Sequence, residues 1–288
     1  MRLEISHQTQ YLYAQPVRES SNDLRLKPVS NEHQTVEWHE LKIRPQAVLR
    51  SYEDFYANTV HHFEVNAAHS ELSIESRCRV STNLRNFLDP DATPASLARR
   101  SECIRMERCF DYLQDSNYVK GSPELWRLAL DATDGQSDMW QAAQALNRFV
   151  QSHLAYTPLA TTALTSAAEA LERRVGVCQD FAHVLIGLCR SIQLPALYVS
   201  GYFFTPGVQA SHAWVEVYIP DVGWRALDPT HATQPDERYV KTAVGRDYAD
   251  VAPTRGHYKG TVQRTIRVDV TVEEISAEST PGTSLQAI

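Results

Sequence analysis

The 288 residues contain no run approaching the ~18 to 20 consecutive apolar side chains needed to cross a bilayer. The opening Met1-Arg2-Leu3-Glu4-Ile5-Ser6-His7 has no apolar signal core, so the expected compartment is the cytoplasm. Basic residues never cluster beyond pairs such as Arg99-Arg100 and Arg173-Arg174, and 28 Lys and Arg against 35 Asp and Glu leave a net charge of −7. A surface that tracks nucleic-acid phosphates needs the opposite balance, so neither nucleic acid nor membrane is an expected partner. Glycine (11) and proline (14) are too sparse for a collagen-like or low-complexity chain, and no internal repeat is present. None of the five cysteines (Cys78, Cys103, Cys109, Cys178, Cys189) stands in a C-x-x-C arrangement. Their odd number leaves at least one free thiol, and Cys103 and Cys109 have no nearby His pair to complete a zinc site, which makes them small buried hydrophobes. No acidic loop of the EF-hand type occurs either. No metal and no cofactor are expected.

What the chain does have is 43% hydrophobic residues, with 8 Phe, 5 Trp and 13 Tyr. A chain of this length buries about 75% of its unfolded surface, and roughly two domains are expected. Residues 1–85 read as strands. Leu3, Ile5, His7, Thr9, Tyr11 and Tyr13 alternate, and Leu24-Arg25-Leu26, Val36 to Ile43, Val60 to Val65 and Leu72 to Val80 follow with period two. A phase slip between Trp38 and Leu41 predicts a bulge, and the whole predicts a small antiparallel sandwich. Residues 86–135 suit short helices. Ser137-Asp138 then opens a helix with Met139, Ala142, Ala143, Leu146, Val150 and Leu154 at three-and-four spacing, and Ser166-Ala167-Ala168-Glu169 is a capping box for a second helix that stops at Gly176. Cys178 to Ile192 is apolar around nearly its whole circumference, the mark of a central, packed helix. The strands after Pro195, together with residues 262–275, are expected to form a sheet on that helix, and 276–288 a frayed tail.

Three residue types in this order carry chemistry. Cys178 heads the buried helix, where unpaired N–H groups and the positive dipole end favour an anion over a neutral thiol. In Ser211 to Ile219, strand alternation sets His212, Trp214, Glu216 and Tyr218 on one face and Ala213, Val215, Val217 and Ile219 on the other. Pro220-Asp221 turns the chain, and a hairpin with a two- or three-residue loop brings Asp228 or its immediate neighbour opposite His212. A thiol, an imidazole and a carboxylate so placed are a nucleophile, a base and the group that orients the base. Taken singly, His212 reads as a half-buried strand histidine and Asp228 as the start of an Asp-Pro turn. Jointly the three point to catalysis.

The segments Arg174-Val175-Gly176-Val177-Cys178-Gln179-Asp180-Phe181-Ala182-His183, Ser211-His212-Ala213-Trp214-Val215-Glu216-Val217 and Gly223-Trp224-Arg225-Ala226-Leu227-Asp228-Pro229-Thr230 resemble the bacterial transglutaminase-like superfamily. Gly245-Arg246-Asp247-Tyr248 to Pro253 is similar to that family's late loop, and residues 1–85 to its β-rich N-terminal region. One departure is Ala57-Asn58, where such regions tend to have Gly-Asn. The resemblance implies an α+β protein: an N-terminal β-sandwich (1–85), a papain-like, transglutaminase-like core (86–275) and a flexible tail (276–288). It also implies a thiolate at Cys178, a base at His212, an orienting Asp228 and an acyl-enzyme formed from an amide. The expected reaction is hydrolysis of a peptide or other amide by a cysteine peptidase or amidase. Transfer of the acyl group to an amine, as in protein cross-linking, is the alternative within the fold, and a non-catalytic peptide-binding scaffold is the alternative outside it.

The oxyanion formed at the carbonyl needs donors. The Cys178 N–H is the first, and Tyr156 and Gln179 are candidates for the second. Trp214 and Trp224 read first as core packing, with cleft lining as the alternative, and Trp214 is carried as a substrate-binding candidate. Cys189 lies too far along the helix from Cys178 for a disulfide, His183 points to a different helix face, and His61 and His62 point to opposite strand faces, so no joint ligation is expected.

Overall fold

The computed structural model describes residues 1–83, 95–207, 210–260 and 263–275. The predicted tail at 276–288 lies outside the described residues. Strand β1 (Arg2–Leu24) is 23 residues long, and its alternation buries Leu3, Ile5, His7, Thr9, Tyr11 and Tyr13 in turn. With β2 (Gln34–Arg44), β3 (Arg50–Glu53), β4 (Thr59–Val65) and β5 (His69–Thr82) it forms a sheet in the order β2-β5-β1-β4-β3. The first half of β1 pairs with β5, and the register breaks between Leu12 and Val17, around Pro16, which can donate no ladder hydrogen bond. The second half then pairs with β4. An apolar core of Tyr11, Tyr13, Val17, Leu24, Phe63 and Leu72 packs within this strand-rich region. The bulge predicted between Trp38 and Leu41 occurs instead between Val36 and Trp38.

The segment ahead of Cys178 is built from the short helices α1 (Arg100–Ile104) and α2 (Glu107–Phe110), then α3 (Pro123–Ala132) and α4 (Met139–His153). Asp138 caps α4 by accepting the Gln141 N–H at 2.9 Å. Residues Ala155–Tyr156 (β6) pair in parallel with Val175–Gly176 (β7), which brackets α5 (Ala167–Arg173). The Ser166/Glu169 capping box is present, with Ser166 N–H donating to Glu169 at 2.8 Å. Helix α5 ends earlier than predicted, because Arg174 takes the left-handed conformation (φ +55°) while Gly176 is held extended in β7. Helix α6 (Cys178–Ser191) is buried along most of its length. It lies against the sheet β10-β9-β8-β11, made of β8 (Ala196–Phe203), β9 (Ser211–Ile219), β10 (Gly223–Leu227) and β11 (Tyr239–Gly245). Ala213, Val215 and Val217 face α6, and Trp214 faces away with Leu197, Val199 and Tyr239. Among the described residues no helix is long and apolar enough to cross a membrane.

After the short helix α7 (Tyr248–Val251), the last strands depart from expectation. Strands β12 (Thr254–Lys259) and β13 (Arg264–Glu274) do not join the sheet on α6 but pair with β1, β13 running from Leu3↔Glu274 to Tyr13↔Arg264. After α7 the chain thus returns to the N-terminal sheet. Alternation marks a strand but not its partner, and β1 offers a free edge along its whole length. Val270 and Val272 of β13 bury with Leu3, Ile5, Tyr202 and Val240, so one apolar cluster joins both sheets. Two side-chain amides add to this joint by capping the edge strand β11, whose outer backbone groups would otherwise be exposed. Gln34 donates to Lys241 O (2.9 Å) and accepts from Lys241 N–H (2.8 Å). Asn58 does the same at Val244, with both bonds 2.8 Å.

Ala57, just before Asn58, sits at φ +60°, a left-handed conformation that favours glycine. A left-handed alanine costs about 1–2 kcal/mol, and glycine gives back about 0.4–1 kcal/mol in the unfolded chain. Ala57→Gly is therefore expected to stabilise the protein by about 0.5–1 kcal/mol, seen as a rise of about 1–3 °C in Tm.

Candidate active site

Cys178 is the first residue of α6 and is half-buried, whereas Cys78, Cys103, Cys109 and Cys189 are buried. Burial pushes the thiols of Cys78 and Cys189 up to about 12. Cys178 N–H is among the first four of its helix and has no intrahelical acceptor. The turn that presents it is held by Asp180, 1% exposed, which accepts the Val177 N–H at 2.8 Å and the Thr161 hydroxyl at 2.6 Å. Gly176 has to be glycine here because a Cβ would stand 2.6 Å from the Cβ of Asp180.

His212 lies on β9 opposite Gly201 of β8. Its Nε2 donates to Asp228 Oδ2 at 2.7 Å, which leaves Nδ1 free of that bond, and Cys178 lies near enough to act on the ring. Burial alone drags the imidazole down, but the hydrogen bonds to Asp228 and Cys178 and their negative charge outweigh it and raise it to about 10. At neutral pH the ring is therefore an imidazolium, its Nε2–H held by Asp228. Asp228 is wholly buried. Desolvation favours its protonated form, yet hydrogen bonds from His212, His231 and Tyr239 win and hold the carboxyl well below the usual range.

The route by which Asp228 reaches His212 differs from the predicted register. A three-residue link pairs Ile219 with Gly223 and Leu227 with Val215, so an extended ladder would set Thr230, not Asp228, across from His212. Instead the chain leaves the ladder after Leu227. Asp228 and Thr233 exchange backbone hydrogen bonds of 2.8 and 3.2 Å, and Thr230 N–H donates to Asp228 Oδ1 at 2.8 Å. The Asp-Pro turn is present, and it points the Asp228 carboxylate at His212.

Tyr156 is brought beside Cys178 by the β6–β7 pairing, with Thr157 N–H on Gly176 O at 2.9 Å. Its ring is 55% exposed. Its hydroxyl is raised above the ordinary tyrosine value by burial and by the negative charge at Cys178, and remains a donor. Gln179 has no such freedom, because its Nε2 donates to Ala163 O at 3.1 Å and ties down the 157–165 loop. Trp214 is 2% exposed, edge-on to Tyr239 at 5.4 Å, so its ring forms the floor under His212 and is not an open cleft wall. Beyond it lies a small cavity lined by Trp140, Trp214, Trp224, Tyr239 and the Glu216–Lys241 ion pair. It holds none of Cys178, His212 or Asp228.

Two partners of Asp228 escaped the sequence reading. His231 Nδ1 reaches Oδ2 at 2.8 Å and Tyr239 OH reaches the same oxygen at 2.7 Å. The signal for His231 was its place three residues after Asp228 in the Asp-Pro turn. Tyr239 comes from β11 and gave no local signal. The donor atoms of His212, Asp228 and His231 lie within 4.8 Å of one another, the spacing of a metal ligand set. They are already hydrogen-bonded to each other, and an ion would have to replace both imidazole protons on Oδ2. The row suits proton transfer to and from a sulfur nucleophile.

Comparison with known proteins identifies the family. Residues 3–81 match the family described as bacterial transglutaminase-like N-terminal region, and residues 127–229 match the transglutaminase-like superfamily. An uncharacterised protein of Mycobacterium leprae is 32% identical over 281 residues, covering 94% of this chain and 98% of that one. A protein-glutamine gamma-glutamyltransferase of Pseudomonas aeruginosa is 30% identical over 135 residues, 41% of this chain and 20% of its own. In structure, the chain superposes with a TM-score of 0.75 on a protein of Cytophaga hutchinsonii assigned provisionally as a cysteine protease, at 23% identity, covering 96% of this chain and 92% of that one. The chain belongs to the transglutaminase-like superfamily, with a bacterial transglutaminase-like N-terminal region ahead of its core.

Proposed function

We propose that the protein is a thiol-dependent acyl-transfer enzyme that hydrolyses a peptide or other amide bond through Cys178, His212 and Asp228. The observation that carries this reading is the His212 imidazole held by the buried Asp228 carboxylate at 2.7 Å, with Cys178 at the start of the buried helix α6 close enough to raise it further. The Cys178 sulfur attacks the amide carbonyl, and the negative charge moves to the carbonyl oxygen, where Cys178 N–H and the Tyr156 hydroxyl are the donors at hand. Collapse of this intermediate breaks the C–N bond, and the His212 imidazolium gives its Nδ1 proton to the departing amine. Water then attacks the thioester, His212 takes its proton, and the acid leaves with the thiolate restored. Asp228 keeps the ring in the orientation that makes both proton transfers possible.

A second reading, in which an amine replaces water in the last step, is favoured by the similarity to the Pseudomonas aeruginosa gamma-glutamyltransferase. One experiment separates the two. Casein is incubated with the protein and a biotin-labelled alkylamine, and release of new termini or of ammonia without label supports hydrolysis. Label incorporated faster than acid is released overturns it in favour of transfer. Catalysis itself is tested with iodoacetamide. Cys178 should be labelled well before the four buried thiols, and equal, slow labelling of all five would support the scaffold alternative.

The pH dependence follows from His212. Its folded-state value is raised, to about 10 from an ordinary 6.5, so the stabilisation from its ion pairs is complete below about 6.5 and is lost as pH rises through about 10. The imidazolium is also the proton donor to the leaving amine. The alkaline limb of kcat/KM is therefore expected near pH 10, and an initial-rate profile between pH 6 and 11 measures it.

A further inference from the structure

Beside the nucleophile turn, Thr157-Pro158-Leu159-Ala160 closes with the Ala160 N–H on Thr157 O at 3.3 Å, and Leu159 stands at φ +67°. Proline followed by a left-handed residue is the type II turn, whose third position belongs to glycine or asparagine. Here a leucine fills it, strained and 98% exposed. Leu164 in the same loop is 75% exposed and Tyr156 at its start 55% exposed. The chain recovers neither the backbone strain nor the apolar exposure in its own packing, and such an outlier points to something outside the chain.

The loop is rigid and belongs to the site. Thr157 N–H bonds Gly176 O, the Thr161 hydroxyl bonds Asp180, and Gln179 bonds Ala163 O, so three of its anchors are residues on either side of Cys178. Within the loop, Thr162 N–H bonds the Thr165 hydroxyl at 3.0 Å and Leu164 N–H bonds the Thr162 hydroxyl at 3.3 Å. Because β6 and β7 are parallel, the chain after Tyr156 and the chain after Gly176 leave in the same direction, and the loop runs along the start of α6. From Tyr156 to Thr165 the sequence carries no charged side chain.

Resting on the reading of Cys178 as nucleophile, we infer that Leu159 and Leu164 are specificity-determining residues that receive an apolar side chain of the peptide substrate next to the scissile amide. A fixed apolar loop without charge beside the reacting sulfur selects substrates by burial of that side chain, and it discriminates against peptides that are polar or charged at the same place.

The test uses the full chain and two chloroacetamides, one extended by a leucyl-leucine arm and the other by a seryl-serine arm, with labelling of Cys178 followed by mass spectrometry. The wild type should react about tenfold faster with the leucyl probe. In Leu159→Gly and Leu164→Ser, singly and combined, that preference should fall towards one while the iodoacetamide rate stays unchanged. Leu159→Gly also relieves the left-handed leucine, so its Tm should hold or rise, which separates loss of selectivity from loss of fold. Equal rates for the two arms in the wild type, with fast iodoacetamide labelling of Cys178, overturn this inference and leave the proposed chemistry standing. A leucyl preference that survives in the double variant overturns it as well. Slow iodoacetamide labelling of Cys178 would instead remove the catalytic reading beneath it.

Discussion

Asp228→Asn is expected to lower kcat for amide turnover by about 10³–10⁴-fold in a protein that still folds. The carboxylate accepts four hydrogen bonds: His212 Nε2 (2.7 Å), His231 Nδ1 (2.8 Å) and Tyr239 OH (2.7 Å) on Oδ2, and Thr230 N–H (2.8 Å) on Oδ1. An amide offers one acceptor oxygen. Turned towards Thr230, it aims its NH₂ at three donors, and turned the other way it sets NH₂ against the Thr230 N–H. Either way a buried donor meets a donor, at a cost of about 1–3 kcal/mol, less than the usual stability of a domain. The larger loss is in the chemistry, because His212 loses both its orientation and the negative charge that keeps it protonated. The alkaline limb should therefore move down from about 10 along with the fall in kcat. Steady-state rates, the pH profile and Tm together check this, and a loss under tenfold in a folded variant would mean that Asp228 does not orient the base. Removing a single exposed partner by His231→Ala leaves three of the four bonds, and should cost less than about tenfold.

The second large effect is expected at a residue that touches no substrate. Gly201 lies opposite His212 on the neighbouring strand, and a Cβ there would stand 2.7 Å from the Trp214 ring and run into the Val240 carbonyl oxygen of β11. Gly201→Ala therefore has to push β11 outward, displace the indole that underlies His212, or both. Overpacking of this kind costs about 2–3 kcal/mol, a fall of roughly 5–10 °C in Tm for a chain of this size. A shift of His212 by about 1 Å from its line to the sulfur lowers kcat about 100-fold even where the protein remains folded. Gly121→Ala is the control, since a Cβ there meets nothing nearer than Asp115 at 3.6 Å. Should Gly201→Ala match the control in rate and Tm, Trp214 is not the support of the base.

The sequence by itself determined whatever depends on local periodicity and capping. Alternation along β1 and β9 chose which side chains face inward, the apolar circumference of 178–191 made α6 a central helix, and the Ser166/Glu169 pair fixed the start of α5. These are interactions between residues a few positions apart, so their energetics are written in the order of the chain. The Cys178 and His212 members of the site were legible for the same reason, each sitting at a defined place in its own element.

Only the tertiary structure decided which strand edges meet, because a strand carries the same pattern whichever partner it finds. That is why β13 went to β1 and not to the sheet on α6, and why the ladder ended at Leu227 so that a local turn, not the register, aimed Asp228 at His212. It also placed Tyr239 and His231 on the carboxylate and tied the 157–165 loop to Gly176, Gln179 and Asp180. Each of these contacts joins different elements or different turns of the chain, and its energy is gained only once packing has brought both partners to the same place.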